Sequence, residues 1–366
     1  GVLLSQSVDI LDRGIGTPAD LDLGCRTALG FKNGPLTLLR DMPEAQAQRI
    51  LKRLALERAG MPMPKRALGD YLKFERHVLV DDVQGVKVIT LRRPEALNAL
   101  HDEMTDEILA LIRRFEDDPE VSGFVITGYG TKAFCAGADI GRFPDLLGDK
   151  AAAAQYARDC SRLLVHLDGM HKPVVAALNG MALGGGFELA MRCHALVAME
   201  QAWMQLPEVG LGILPGIGAM VVPYRRWPQA ASTFHGMLRR CDKLKAKQAL
   251  ALGVLDALAS SPAELIASAV ARVQALASGH ARIADAPVTL PAFDAMEPKA
   301  AHGLALSPTT LGLIERAVQD AAQAPSLCAA LEIGYLAFGE AACTAAAREG
   351  IAAFGEKRAP DFARVG

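Results

Sequence analysis

Asn179-Gly-Met-Ala-Leu-Gly-Gly-Gly-Phe-Glu-Leu-Ala190 is the stretch on which the reading of the whole chain turns. An apolar run, Val174 to Leu178, has the composition of a buried strand. Three consecutive glycines, Gly184, Gly185 and Gly186, then lead into a helix that begins with Phe187, Glu188 and Leu189. A strand-to-helix turn of this kind leaves backbone N–H groups without partners. Glycine removes the Cβ that would keep a ligand atom away, and the helix dipole adds partial positive charge, so a developing oxyanion is favoured there. Glu188 falls within one turn of those donors. Taken alone, the same pattern also describes a tight packing turn followed by a solvated carboxylate.

Two further segments share the character of the first. Lys132-Ala-Phe-Cys-Ala-Gly-Ala-Asp-Ile140 follows a strand-like run, Gly123 to Thr127, and offers a second turn of small residues with exposed N–H donors. Met204-Gln-Leu-Pro-Glu-Val-Gly-Leu-Gly-Ile-Leu-Pro-Gly216 places a second carboxylate, Glu208, among apolar residues and prolines. Leu91-Arg-Arg-Pro-Glu-Ala-Leu-Asn-Ala-Leu100 precedes them and Glu349-Gly-Ile-Ala-Ala-Phe-Gly-Glu-Lys-Arg358 follows. In this order the motifs resemble the crotonase family, the enoyl-CoA hydratases and isomerases, over roughly residues 74–362.

The resemblance implies an α/β fold, a crotonase-type superhelix of repeated ββα units with a C-terminal helical region. It implies hydration of a trans-2-enoyl-CoA thioester, with coenzyme A as part of the substrate and no metal or redox cofactor. The two oxyanion N–H groups map onto Ala138 and Gly185, and the two acid/base carboxylates onto Glu188 and Glu208. Apolar neighbours such as Phe187, Leu206, Val209 and Ile213 are expected to desolvate that pair and push its pKa values apart. Ala96, Leu97, Ala136, Asp139 and Ile140 match positions that hold the adenine and pantetheine, and Lys357 and Phe354 match residues that reach coenzyme A. Trp203 and Met204 are expected either in the acyl pocket or in the plain core. His194 stands where the family usually has Asp and is read as noncatalytic. Leu206 replaces a frequent Gln, as in the hydratase parts of multifunctional β-oxidation enzymes. A Δ3,Δ2-enoyl-CoA isomerase, a hydrolase of the same superfamily and a noncatalytic acyl-CoA-binding part are the alternatives. Retention of both glutamates favours the hydratase.

Composition narrows the rest. With 366 residues, 51% of them apolar, the chain can bury a substantial core. A formal net charge of −2 gives no electrostatic basis for nucleic acid or an anionic membrane as partner. The most apolar run, Pro173 to Met199, is broken by Asn179, the glycines, Glu188 and Arg192, so it does not read as a membrane span. The seven cysteines lack CxxC spacing and read as reduced core thiols of a cytoplasmic protein.

Residues 1–58 are helical in pattern, with Thr17 and Pro18 opening the second helix and Gly30 closing it. Gly-Ile-Gly-Thr-Pro-Ala-Asp-Leu-Asp and Leu-Gly-Phe-Lys-Asn-Gly-Pro-Leu-Thr-Leu there resemble part of the all-helical C-terminal domain of 3-hydroxyacyl-CoA dehydrogenases. That implies upstream dehydrogenase domains in a fused protein. Gly1 opens the chain without methionine in a mid-helix pattern, consistent with a piece of a longer protein. Residues 59–73 read as a linker, 74–278 as the crotonase core, 279–306 as a loop or insert, and 307–366 as the C-terminal helical region. Val78 to Val80 and Val86 to Leu91 predict a hairpin, and Asp102 to Phe115 and Ala151 to Leu167 amphipathic helices. Further helices are expected over 244–252, 262–277, 309–323, 326–338 and 341–354. For assembly, the resemblance implies a homotrimer or a hexamer, with fused versions monomeric.

Overall fold

The computed structural model describes residues 1–295, 298–301 and 303–365, and the chain divides into two compact units, Gly1–Arg76 and His77–Gly366.

The first unit is helical: α1 (Val2–Asp12), α2 (Pro18–Leu29), α3 (Pro35–Arg40) and α4 (Glu44–Glu57). Thr17 caps α2 by accepting the Asp20 N–H at 3.1 Å, and Gly30 ends it in the left-handed conformation, φ 69°. Buried Asp22 joins α2 to α3, because its Oδ1 accepts the Leu36 and Thr37 N–H groups at 2.8 and 3.0 Å. These are orphan donors at the start of α3, which has no cap of its own. The stretch 59–73, read as a linker, is in fact built into this unit. A short 3₁₀ helix, Leu68–Leu72, buries Tyr71 against Val8, Leu11 and Leu36, and the Tyr71 hydroxyl donates to Asp12.

The second unit holds ten strands among the described residues, in two sheets. The larger takes β1 (Val78–Val83), β2 (Val86–Leu91), β3 (Gly123–Gly128), β5 (Val174–Leu178), β7 (Ala195–Met199) and β10 (Ala257–Ala259) in that spatial order. All neighbours are parallel except the β1–β2 hairpin. β3, β5 and β7 are buried along their whole length, as strands covered on both faces must be, which is why they read as unbroken apolar runs. Each fully buried Val or Leu there contributes ~1.5–3 kcal/mol. The smaller sheet takes β4 (Ala133–Cys135), β6 (Met181–Leu183), β8 (Trp203–Gln205) and β9 (Lys243–Lys245). Each turn of the chain thus lays one strand in the large sheet and the next in the small one before a helix returns it. This is the expected mixed α/β architecture of repeated ββα units.

Its helices of eight or more residues, among the described residues, are α5 (Asp102–Phe115), α6 (Lys150–Cys160), α7 (Arg162–Gly169), α8 (Gly184–Arg192), α9 (Ala231–Arg240), α10 (Pro262–Leu276), α11 (Pro308–Gln323), α12 (Leu327–Ala341) and α13 (Ala345–Gly355). Two expectations change. The helix expected over 151–167 breaks at Ser161, which ends α6 and begins α7. The helix expected from Leu244 begins at Ala246, because Lys243–Lys245 pair antiparallel with Trp203–Gln205 and tertiary pairing overrides helical propensity. The 279–306 segment is irregular but packed, with Ile283, Val288, Leu290, Phe293 and Leu304 against the core; residues 296, 297 and 302 of it lie outside the described residues. All seven cysteines are free, but Cys328 is exposed, so they are not uniformly core thiols.

His194, at the start of β7, accepts the Val174 N–H on Nδ1 at 2.8 Å, and its ring centroid lies 3.8 Å from that of His280. Burial pushes its pKa down to about 3, with the positive charges of His280 and Arg226 acting in the same direction. The folded protein therefore refuses a proton that the unfolded chain takes up near pH 6.5, so stability rises with pH between about 3 and 6.5. Lowering the pH from 7 to 5 should cost about 1–2 kcal/mol from this residue. His194→Asn, which keeps an acceptor for Val174, should lose that part of the pH dependence in urea melts. An unchanged slope in the variant would show that another group carries it.

Candidate active site

The strand order of the small sheet brings the chemistry together. β4, β6 and β8 run parallel, so the segments that follow them emerge side by side, and antiparallel β9 begins at the same edge. Ala136–Ala138 follow β4, Gly184 and Gly185 follow β6, Pro207 and Glu208 follow β8, and Cys241 precedes β9. These residues line one cavity of about 480 Å³, together with Glu188, Ile140, Phe143, Tyr156, Ile217 and Phe338.

The three glycines at the start of α8 are each met by a different neighbour. A Cβ on Gly186 would lie 2.6 Å from Cys135, so the helix is pressed onto β4. A Cβ on Gly185 would lie 3.4 Å from the Ala138 backbone nitrogen, and one on Gly184 would lie 2.2 Å from Oε1 of Glu208. Close approach is thus built in where the two N–H groups and the second carboxylate meet. Neither the Ala138 nor the Gly185 N–H has an acceptor among the described residues, and α8 has no side-chain cap. Two unspent donors beside a helix N-terminus form a ready site for a developing oxyanion.

Glu188 is 2% exposed, and its Oε1 accepts the Ile217 and Ala219 N–H groups at 3.0 and 2.8 Å. One turn on, Arg192 is fully buried; it pairs with Asp168 and donates to the Ile217 carbonyl at 3.2 Å, which pins the loop that holds Glu188. Burial pushes Glu188 up to about 7, while these N–H donors and Arg192 pull it back. Glu208 differs. Burial raises it well above the usual carboxylate range, and the charge of Glu188 raises it further. Its Oε2 is shut from solvent and has no hydrogen-bond partner among the described residues. Of the pair, Glu188 is thus the readier to ionise and Glu208 the readier to keep its proton.

Of the residues matched to coenzyme A, Ala136 and Ile140 line the cavity. Leu97 lies beside them, its carbonyl accepting the Ala136 N–H at 3.1 Å, with Ala96 in the preceding 3₁₀ turn. Asp139 pairs with Arg93 at 2.7 Å and accepts the Gly141 N–H. Lys357 is not on the cavity wall: it is exposed in a left-handed turn, φ 56°, beyond the end of α13, whereas Phe354, one turn earlier, does line the cavity. Trp203 and Met204 are not on the wall either. Lys243 covers the Trp203 ring, and Met204 is buried in the core. Gly184, Tyr156, Phe143, Phe338, Cys241 and Leu304 line the cavity without having been singled out in the sequence, apart from the glycine run itself. Burial keeps the Cys135 thiol inert, pushing it up to about 12. A second hollow, about 570 Å³, lies around Ser232, Arg239, Arg240 and Phe293; there Arg239 pairs with Glu315 and Arg240 with Asp242. Among the described residues no group of three or more His, Cys, Asp or Glu side chains is placed to hold a metal ion.

The sequence profile of the enoyl-CoA hydratase/isomerase family matches residues 81–290, a span that contains both carboxylates and both N–H donors. The chain belongs to the enoyl-CoA hydratase/isomerase family. It is 33% identical over 286 residues to a probable enoyl-CoA hydratase of Mycobacterium tuberculosis, covering 78% of this chain and 97% of that protein. It is 32% identical over 287 residues to (E)-benzylidenesuccinyl-CoA hydratase of Thauera aromatica, covering 76% and 95%. Among solved structures, an enoyl-CoA hydratase from Rhodobacter sphaeroides superposes with a TM-score of 0.60 at 25% identity, over 78% of this chain and 91% of the other. Family membership accounts for the fold of the second unit, and these matches mark the chain as an enzyme of the hydratase type.

Proposed function

We propose that this chain adds water across the double bond of a trans-2-enoyl-CoA thioester to give the 3-hydroxyacyl-CoA. The observation that carries this reading is the pairing of two buried carboxylates of unequal acidity with two unspent N–H donors in one cavity. The thioester oxygen lies between the Ala138 and Gly185 N–H groups. Ionised Glu188 takes a proton from water as its oxygen bonds to the β-carbon, and the electron pair of the double bond moves onto the α-carbon and the thioester oxygen. Neutral Glu208 then delivers its proton to the α-carbon. Coenzyme A enters only as part of the substrate, held along Ala96, Leu97, Ala136, Asp139 and Ile140; the proton that water gives to Glu188 balances the one that Glu208 gives to carbon, so the pair as a whole gains and loses none.

An isomerase needs the donors and one carboxylate; a second carboxylate kept neutral beside the first favours hydration. The test is incubation of the protein with crotonyl-CoA. Loss of the enoyl-thioester absorbance with a product 18 Da heavier is expected by the stoichiometry of adding one water. Binding without turnover on any enoyl-CoA would move the assignment to isomerase, hydrolase or carrier. The motifs of residues 1–58 support our reading of that segment as part of a 3-hydroxyacyl-CoA dehydrogenase C-terminal domain in a fused cytoplasmic β-oxidation protein. A homotrimer or hexamer is the assembly proposed for the hydratase unit, and light scattering of the purified protein tests it.

A further inference from the structure

We infer that Leu304, carried by the 279–306 segment, sets the length of acyl chain that the cavity accepts; the inference rests on the hydratase reading above. Across the small sheet the order β4, β6, β8, β9 gives the site a direction. Ala136 and Ile140, beside Leu97, stand at the β4 end; the N–H donors follow at β4 and β6, Glu208 at β8, and Cys241 before β9. A thioester laid along this edge, with coenzyme A at the β4 end and its α- and β-carbons at the carboxylates, sends the rest of its acyl chain toward Cys241.

Leu304 closes the cavity there. A Cβ placed on Gly210 would meet Cys241 Sγ at 3.5 Å and Leu304 Cδ2 at 3.9 Å, so the two side chains face the same side of the turn that carries Glu208. Leu304 is also firmly held. Its carbonyl accepts the Ala300 N–H at 2.8 Å, Lys299 and Ala305 form an antiparallel bridge, and the Leu306 N–H bonds to the Pro298 carbonyl at 2.8 Å. The Ala301 N–H bonds to the carbonyl of Arg240, the residue before Cys241, at 3.0 Å. Ala300 and Leu306 are buried on either side. A segment anchored to the end of α9 in this way presents the half-buried Leu304 as a wall.

One methylene in an apolar pocket discriminates by roughly 10–200-fold in kcat/KM. The experiment measures kcat/KM for enoyl-CoAs of four, eight and twelve carbons in the wild type, Leu304→Ala and Leu304→Phe. Leu304→Ala should raise the ratio of twelve-carbon to four-carbon kcat/KM by about tenfold or more, and Leu304→Phe should lower it by a similar factor. A wild type that hydrates crotonyl-CoA, with length profiles unmoved in both variants, would overturn this inference alone. A wild type that hydrates none of the series would overturn the hydratase reading and this one with it.

Discussion

Glu208→Gln should lower kcat for crotonyl-CoA hydration by about 10²–10⁴, the usual contribution of a positioned general acid, with little change in KM. Gln keeps the size of Glu and removes the proton that the α-carbon receives. The loss corresponds to about 3–5 kcal/mol of transition-state stabilisation. The pH profile separates this role from a structural one. Glu188, raised to about 7, must be ionised to act as base, so kcat/KM in the wild type should climb as pH rises through about 7. Glu208, raised well above the usual range, must stay protonated, so activity should fall again at alkaline pH. In Glu208→Gln the lower limb should persist and the alkaline limb disappear. A variant that keeps a bell-shaped profile and loses less than tenfold would assign the proton donor elsewhere. Because the two groups titrate as a pair, the limbs report apparent values of the pair rather than of either residue alone.

The glycine turn, the Ala-Gly-Ala-Asp turn and Leu-Pro-Glu were legible in the sequence because each joins a buried strand to a constrained turn, and both features leave local marks. Glu208 is the instructive case: apolar neighbours in the sequence predicted a desolvated carboxylate, but only the parallel order of β6 and β8 puts it against Gly184. The rest of the wall was not legible. Tyr156 and Phe143 come from the stretch after β4, Phe338 from α12 and Leu304 from the 279–306 segment, and nothing in their local spacing distinguishes a cavity residue from a core one. Lys357, read as part of the C-terminal helix, stands instead in a left-handed turn beyond α13, φ 56°, and is not among the residues that line the cavity. The helix expected from Leu244 starts late because Lys243–Lys245 pair as an edge strand with Trp203–Gln205, which are distant in sequence.

Gly184→Ala should reduce kcat by about 10² or more while leaving the fold and coenzyme A binding in place. Gly184 has φ 44°, and its missing Cβ would lie 2.2 Å from Oε1 and 3.2 Å from Cδ of Glu208. That contact is more than 1 Å inside ordinary van der Waals separation, so something must yield. The backbone of α8 is held by the Gly186 contact with Cys135, whereas the Glu208 carboxylate is the free end of a side chain whose Oε2 has no partner to anchor it. The carboxylate therefore moves, and a displacement of about 1 Å at a reacting group costs on the order of 10²-fold. Strain from alanine in the left-handed region adds about 1–2 kcal/mol of destabilisation, tolerable for a domain with this much core. Gly130→Ala is the matched control, since Gly130 also has a positive φ, 84°, and a Cβ there meets nothing within 4 Å. Unlike Glu208→Gln, Gly184→Ala keeps the proton donor, so its alkaline limb should shift rather than vanish. Activity within threefold of the wild type in Gly184→Ala, with a melting temperature close to that of Gly130→Ala, would mean that the carboxylate does not need the position this turn gives it.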